Sequence, residues 1–451
     1  MAAAVVVGGG LAGCEAAWRL AALGHDVALY EMRPVRATPA HRTAGLAELV
    51  CTNSFKSEDT ANAHGLLKRE MRVLGSLLLR VADETRVPAG TALAVDRDSF
   101  SDRMTAAIEA HPRIRLLREE LVVLPEGPAV VATGPLTSDA LAADIARVLG
   151  NEGLAFYDSI APIVSHESVD LTHAYYGSRW GRGEGDDYLN CPLTEAEYTA
   201  FLGALRAADS YPGHDWEDIP YFEGCLPIEV MAARGDETLR YGPMRPVGLP
   251  DPHSGREPYA VLQLRREDRA GRMWNLVGFQ TRLRTGEQRR VFRMIPALRD
   301  ADFLRTGSIH RNTYLDFPRT LTAWGAPKAR PDLIVAGQLT GVEGYTESAA
   351  SGILAGINLD RVLRGLAPVI PPPTTMIGGL YRYLAEAAPG SFQPMNSNFG
   401  LVDPPPERIR NKRKRRERTA ERAEQTLGAW AARYDVPVSA MAERRLEPVT
   451  T

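Results

Sequence analysis

The strand–turn–helix–strand signature that opens the chain constrains its fold more than any other feature. Val5, Val6 and Val7 read as a short apolar strand, Gly8-Gly9-Gly10-Leu11-Ala12-Gly13 as the turn, and Glu15 to Leu23 as a helix. After Gly24 and His25 a second strand, Val27-Ala28-Leu29-Tyr30, ends in Glu31. Gly8 permits the tight turn, Gly10 lets backbone N–H groups approach a pyrophosphate, and Gly13 allows close helix–strand packing. The helix N-terminus presents unpaired N–H groups and its positive dipole end to that diphosphate. Glu31 lies eighteen residues past Gly13, about where an acid takes the ribose hydroxyls, and it argues against a 2′-phosphate there. The glycine turn alone is a weak signal, since a purely structural turn shares its spacing. With strand, turn, helix, strand and acid in order, the segment predicts a bound dinucleotide.

Two distant segments read as parts of the same nucleotide domain. Ala129-Val130-Val131-Ala132-Thr133-Gly134 is an apolar strand ending in the Ala-Thr-Gly found in many FAD-dependent oxidoreductases. Asp332-Leu333-Ile334-Val335-Ala336-Gly337-Gln338 is another buried-strand pattern, followed by a loop with Gly341 and Gly344 and a small-residue helix, Ser348 to Leu359. That arrangement aims a second helix N-terminus at the cofactor. Together the three segments favour FAD over NAD as the tightly held group, with Gly134, Gly337, Gln338 and Gly341 joining the cofactor residues. Many flavoproteins of this architecture carry an aspartate where Gln338 stands. A second, unrelated α/β unit is the bland alternative.

The expected fold is therefore α/β: a discontinuous Rossmann-like FAD-binding domain with an α+β insertion domain and a helical C-terminal tail. The first part spans 1–165, and an aromatic-rich insertion over the flavin spans 166–292. The second part of the nucleotide domain spans 293–370, and Pro371-Pro372-Pro373 opens a C-terminal helical region, 371–451, that carries a basic run. A length of 451 residues suits two or three domains. The net charge of −3 gives no global sign of a polyanion partner, so any nucleic-acid contact must be a local patch. Four cysteines, at 14, 51, 191 and 225, show neither CxxC nor metal-ligand spacing, which predicts no metal and suits a reducing cytoplasm. No apolar run reaches the length that spans a membrane, and the N-terminus lacks a basic segment of the signal-peptide kind.

Candidate chemistry sits at a few points. Cys51, in Leu49-Val50-Cys51-Thr52-Asn53-Ser54-Phe55-Lys56-Ser57, falls in a loop that topology places near the cofactor, with Lys56 close enough in sequence to hold a thiolate. Cys225 is bracketed by Gly224 and Pro227 in a shaped turn. Read alone, each cysteine is as well a small buried hydrophobe. Cys14 and Cys191 read as packing. His310, in Ile309-His310-Arg311-Asn312, either stacks on a planar ligand or is a framework histidine. Arg282 and Arg284 belong to a cluster dense enough for an anionic ligand, or for a solvated helix face. Lys412, Arg413, Lys414, Arg415 and Arg416 carry the same ambiguity between a solvated helix and a phosphate-contact surface.

Assembled, these segments closely resemble the folate- and FAD-dependent tRNA (uracil-5-)-methyltransferases, the TrmFO family, relatives of the glucose-inhibited-division flavoproteins. The resemblance rests most specifically on Cys51-Thr52-Asn53-Ser54, on Phe222-Glu223-Gly224-Cys225-Leu226-Pro227, and on Phe392-Gln393-Pro394-Met395-Asn396-Ser397-Asn398-Phe399-Gly400. It implies synthesis of 5-methyluridine in the T-loop of tRNA, with carbon from 5,10-methylenetetrahydrofolate, NAD(P)H as reductant, and reduced flavin supplying electrons and carrying the methylene. It also implies roles. Uracil C5 is a poor nucleophile until something adds at C6, and Cys225 resembles that nucleophile. Cys51 resembles the base that assists loss of the C5 proton. Arg282 and Arg284 would bind the anionic folate tail, and His310 would stack on the pterin. Family members often carry an aromatic residue where this chain has Thr285. The competing expectations are a wobble-uridine-modifying flavoprotein of the glucose-inhibited-division type, which is longer, a small-metabolite FAD oxidoreductase, and a flavin-holding RNA-binding protein with inert cysteines.

Overall fold

The computed structural model describes residues 4–38, 40–149, 154–159, 161–182, 185–211, 226–252, 254–266, 271, 273–307, 309–387, 392 and 394–439; of 154–159, 305 and 309–313 it describes the backbone. Cys225 therefore lies outside the described residues, as does the His310 side chain.

A five-stranded parallel sheet is the frame of the molecule. Its order is Leu333–Val335, Ala129–Val131, Ala4–Val7, Val27–Tyr30, Ile114–Leu117. All-apolar strands such as Val5-Val6-Val7 and Ala129-Val130-Val131 suit a parallel sheet covered on both faces. The edge strand Leu333–Val335 arrives some two hundred residues after its neighbour Ala129–Val131, so the sheet is discontinuous in sequence. Helix Leu11–Ala22 lies against helix Tyr345–Leu363 at backbone contact. A Cβ on Gly352 would fall 2.1 Å from the Ala12 carbonyl oxygen. The small-residue run therefore exists to let two helices that both start at the same cleft approach each other. Gly13 serves the same end within the turn, since a Cβ there would sit 1.7 Å from the Gly8 oxygen.

Between the second and third parts of this sheet the chain builds a six-stranded antiparallel sheet with its own apolar core. Its order is Tyr175–Tyr176, Tyr188–Leu193, Ala260–Arg266, Met273–Leu276, Ile163–Ser165, Phe303–Arg305. Helix Glu195–Arg206, started by a capping box of Thr194 and Glu197, covers one face. A two-stranded ribbon, Leu154–Ser159 against Ile309–Tyr314, carries the chain between the two sheets, and His310 pairs with Asp158 on it. A small sheet of Ser54–Ser57, Ala92–Val95 and Arg86–Val87 borders both large ones.

The C-terminal helices dock onto the nucleotide domain through helix Ala63–Val73. Glu70, buried in that helix, accepts the Met376 and Ile377 N–H groups at 2.6 and 2.9 Å and so caps helix Met376–Glu386. Burial pushes the Glu70 carboxyl up to about 7 against those two hydrogen bonds. Helix Lys412–Arg433 buries Ala420, Ala423, Leu427, Trp430 and Ala431, a stripe that recurs every three to four residues on one helix face. Among the described residues no helix is long and apolar enough to cross a membrane, and no group of three or more His, Cys, Asp or Glu residues is placed to hold a metal.

Candidate active site

Two neighbouring clefts contain most of the cofactor residues expected from sequence, and Cys51. The first is lined by Gly8, Gly9, Gly10, Leu11, Ala12, Glu31, Thr133, Gly134, Gly337, Gln338, Tyr345 and Ser348 among others. Gly13 and Gly341 stand behind this wall. Gly341, at φ +86°, packs on the ring of Phe392.

The turn fits a diphosphate. Gly8, at φ +103°, has no room for a Cβ, which would meet the Ala132 oxygen at 2.5 Å, whereas one on Gly10 would meet nothing within 4 Å. Gly10 is also the N-cap of Leu11–Ala22 and supplies no side-chain cap. The first N–H groups of that helix thus remain available at the cleft. The second helix, Tyr345–Leu363, begins after Gly344, again without a side-chain cap. Glu31 is held in place: Oε2 accepts the Gly9 N–H at 2.9 Å, and Oε1 accepts the N–H and Nε–H of Arg33, both at 2.9 Å. Burial alone would raise its pKa, but the bonds and charge of Arg33, with the Gly9 N–H, hold it below the ordinary carboxylate value.

The second cleft holds Cys51, with Thr52, Ser54, Lys56, Arg265, Asn275, Gln280, Glu343 and Tyr345 on its walls. Tyr345 organises the Cys51 loop. Its phenol oxygen accepts the N–H groups of Cys51 and Thr52 at 2.7 and 3.2 Å. Burial, and after it the nearby Cys51, push that phenol well above its ordinary value, so it stays protonated while accepting both. Lys56 takes a left-handed backbone, φ +63°, to lie in this wall. Behind it Glu347 is fully buried, taking His64 Nδ1 at 3.2 Å and the Ser397 N–H at 3.0 Å. Burial would raise Glu347, but the His64 hydrogen bond, the charges of Lys56 and His64, and the Ser397 N–H hold it far below the ordinary range. Gln338 and Tyr345 line both clefts, so the two share a wall.

Other singled-out residues lie elsewhere. Cys14 is buried, its thiol 3.4 Å from the Gly9 oxygen, and Cys191 is buried within the antiparallel sheet; both pack. Arg282 lines neither cleft: its backbone N–H donates to Glu229 Oε1 at 2.8 Å and its Nε lies 3.7 Å from that same oxygen. Arg284 is exposed, its guanidinium 5.9 Å from the Tyr211 ring centre. Lys412, Arg413, Lys414 and Arg415 form the exposed first turn of Lys412–Arg433, with Arg413 3.2 Å from Asp59. Arg416 covers the Phe399 ring at 5.0 Å. Tyr345, Arg265 and Asn275 also line the second cleft and are not among the residues expected from sequence. Tyr345 had a signal, as the first residue after Gly344 in the glycine-rich loop. For Arg265 the signal was subtler: polar Gln263 and Arg265 alternate with Val261, Leu262 and Leu264 in a strand that is buried on both faces.

These features define a protein with a discontinuous dinucleotide domain and a thiol-bearing cleft roofed by a second sheet. Residues 3–367 match the family model of glucose inhibited division protein A. The solved structure of Aquifex aeolicus GidA superposes with a TM-score of 0.71 over 98% of this chain and 75% of that one, at 16% identity, a likeness of fold. Much closer in sequence is the methylenetetrahydrofolate–tRNA-(uracil-5-)-methyltransferase TrmFO of Geobacter sulfurreducens, 55% identical over 95% of this chain and 99% of that one. The TrmFO of Moorella thermoacetica is also 55% identical, over 93% and 96% of the two chains. The chain belongs to the TrmFO family.

Proposed function

We propose that this protein methylates C5 of uridine in the T-loop of tRNA, taking its carbon from 5,10-methylenetetrahydrofolate, with bound FAD and with NAD(P)H as reductant. The observation that carries the reading is the wall shared by the two clefts at Gln338 and Tyr345. A dinucleotide held in the first cleft would end beside the cavity that holds Cys51. FAD, when bound, supplies the electrons that turn a methylene into a methyl group. The protein's own residues do the rest. The turn from Gly8 to Gly13 and the N-terminus of its helix hold the diphosphate, Glu31 faces the ribose, and Gly134, Gly337, Gln338 and Gly341 shape the remaining wall. Cys51 takes the C5 proton, with its backbone fixed by Tyr345. Cys225 is assigned the attack on C6 from its sequence segment. His310 is assigned to folate on the same ground, and Arg282 and Arg284, which line neither cleft, are assigned only its anionic tail.

The basic turn supports a polyanionic substrate. Lys412, Arg413, Lys414 and Arg415 occupy the N-terminus of a helix with no acid in its first turn, where the dipole disfavours positive charge. Cations held at that end suit a partner that brings its own negative charge.

The test is methyl incorporation into undermodified tRNA by the purified flavoprotein with NAD(P)H and methylenetetrahydrofolate labelled in its one-carbon unit. A parallel reaction uses labelled S-adenosylmethionine. Label in T-loop uridine from folate alone is expected. No transfer from folate, with FAD bound and reducible, would sink the reading.

A further inference from the structure

The antiparallel sheet has two buried faces of opposite character. One carries Leu189, Leu262, Leu264, Trp274 and Leu276 into the apolar core. The other carries Asn190, Gln263, Arg265 and Asn275, none more than 8% exposed. Register sets these four side by side as cross-strand pairs, Gln263 opposite Asn190 and Arg265 opposite Asn275. The first pair satisfies itself, Gln263 Nε2 donating to Asn190 Oδ1 at 2.9 Å.

The second pair does not. Arg265 gives Nε–H to Asn53 Oδ1 at 3.0 Å and an Nη2 hydrogen to Thr52 Oγ1, and among the described residues it has no carboxylate partner. Asn275 Nδ2 has no hydrogen-bond partner among the described residues. Both residues line the Cys51 cavity. A buried amide left unpaired is costly, and a buried charge without a counter-ion costs more. Two donors left open at one spot fit a ligand that brings an oxygen able to take up negative charge. The guanidinium, tied to the residues directly after Cys51, cannot follow a mobile group. The oxygen must belong to whatever enters this cavity.

We propose that Arg265 and Asn275 form the receptor for O4 of the target uridine, and that Arg265 stabilises the enolate formed when a thiolate adds to C6. This rests on the methyltransferase reading above. In that step the sulfur lone pair makes the S–C6 bond, the C5=C6 π pair moves to C4–C5, and the carbonyl π pair moves onto O4. No electron is gained or lost overall and no proton moves. The pair returns from O4 when C5 bonds to the one-carbon unit. O4 sits on the carbon next to C5, so a base that offers C5 to Cys51 also brings O4 to the sheet. The oxygen is neutral beforehand and anionic afterwards, so a fixed cation there favours the adduct over the bound substrate.

Because Arg265 also braces Thr52 and Asn53, a rate loss alone would not separate the two roles. The experiment uses the FAD-loaded enzyme and tRNA carrying either uridine or 4-thiouridine at the target, with wild type, Arg265→Gln, Arg265→Lys and Asn275→Ala. Arg265→Gln is expected to lower kcat on uridine by about 10²–10³-fold, with partial recovery in Arg265→Lys and an unchanged flavin spectrum. Wild type should prefer oxygen over sulfur at C4, and Arg265→Gln should lose that preference. Asn275→Ala, which leaves the Cys51 loop untouched, should weaken it. Equal losses on both substrates, with the preference kept, would overturn the proposal. So would a loss repaired by raising folate, which would give the pair to the donor. A wild type that transfers nothing from folate overturns the methyltransferase reading and this inference together.

Discussion

The two clefts share a wall but are made in opposite ways. The dinucleotide cleft is built chiefly from backbone: one short turn, two helix N-termini and glycines at points where a side chain would collide. The Cys51 cleft is built from side chains delivered by the 51–56 loop, two strands of the antiparallel sheet and the start of helix Tyr345–Leu363. A backbone site demands residues close together in sequence. A side-chain site can draw on any segment the fold brings near. The first is hard to change without losing the fold, whereas the second can lose its chemistry and leave the fold intact.

The strongest test of that contrast is Gly13→Val. A Cβ at 1.7 Å from the Gly8 oxygen has nowhere to go, so helix and turn must separate, at a cost above about 4 kcal/mol. The expected product is a protein without bound flavin and with a lowered melting temperature. Normal flavin retention would show that the turn is less rigid than its packing implies. Cys51→Ala is the counterpart at the other cleft. Methyl transfer should fall by roughly 10²–10⁴-fold, the range for loss of a general base, while flavin absorbance and melting temperature stay put. Loss of flavin from Cys51→Ala would break the distinction between the clefts.

The same contrast explains what could be read from sequence. The parallel sheet was legible because Val5-Val6-Val7, Ala129-Val130-Val131 and Leu333-Ile334-Val335 are short apolar runs, two of them beside glycine turns whose spacing has a mechanical cause. Cys51 and Cys225 were candidates from their local segments but gained roles only through resemblance, because nothing local separates a reactive thiol from a packed one. Arg265 gave only a faint signal, in the alternation of its strand, for a further reason. Its importance lies in Asn53, Thr52 and Asn275, more than two hundred residues back and ten ahead, and pairing of that kind belongs to the tertiary fold. Arg282 and Arg284 show the converse: a dense cationic segment in sequence whose two members stand apart from both clefts.

Glu347 tests the region where the two constructions meet, since its helix starts at the shared wall. Its carboxyl is held below its ordinary value despite burial, by His64, Lys56 and the Ser397 N–H. Folding therefore favours the ionised form. That contribution is fully present above the unfolded value of about 4.3 and is lost as pH falls through the depressed folded value. Glu347→Gln should cost about 3 kcal/mol at neutral pH, the scale for breaking a buried ion pair. The gap between the denaturation midpoints of wild type and variant should narrow below about pH 4. A gap that stayed constant down to pH 3 would mean that packing, and not charge, accounts for the loss.

The smallest effect lies outside both clefts. Lys412, Lys414 and Arg415 lie exposed in the first turn of their helix, so replacing all three with alanine should leave flavin content and melting temperature near wild type. Removing cations from a helix N-terminus is if anything mildly stabilising, by a few tenths of a kcal/mol per residue. If the turn contacts tRNA phosphates, binding measured across a salt series should lose slope, by about 0.7–0.9 in log K against log salt for each contact removed. The enzyme's rate at saturating tRNA should hold, because these side chains touch neither cleft. An unchanged salt slope would move the tRNA surface elsewhere on the molecule and leave the unfavourable charges of this helix without an explanation.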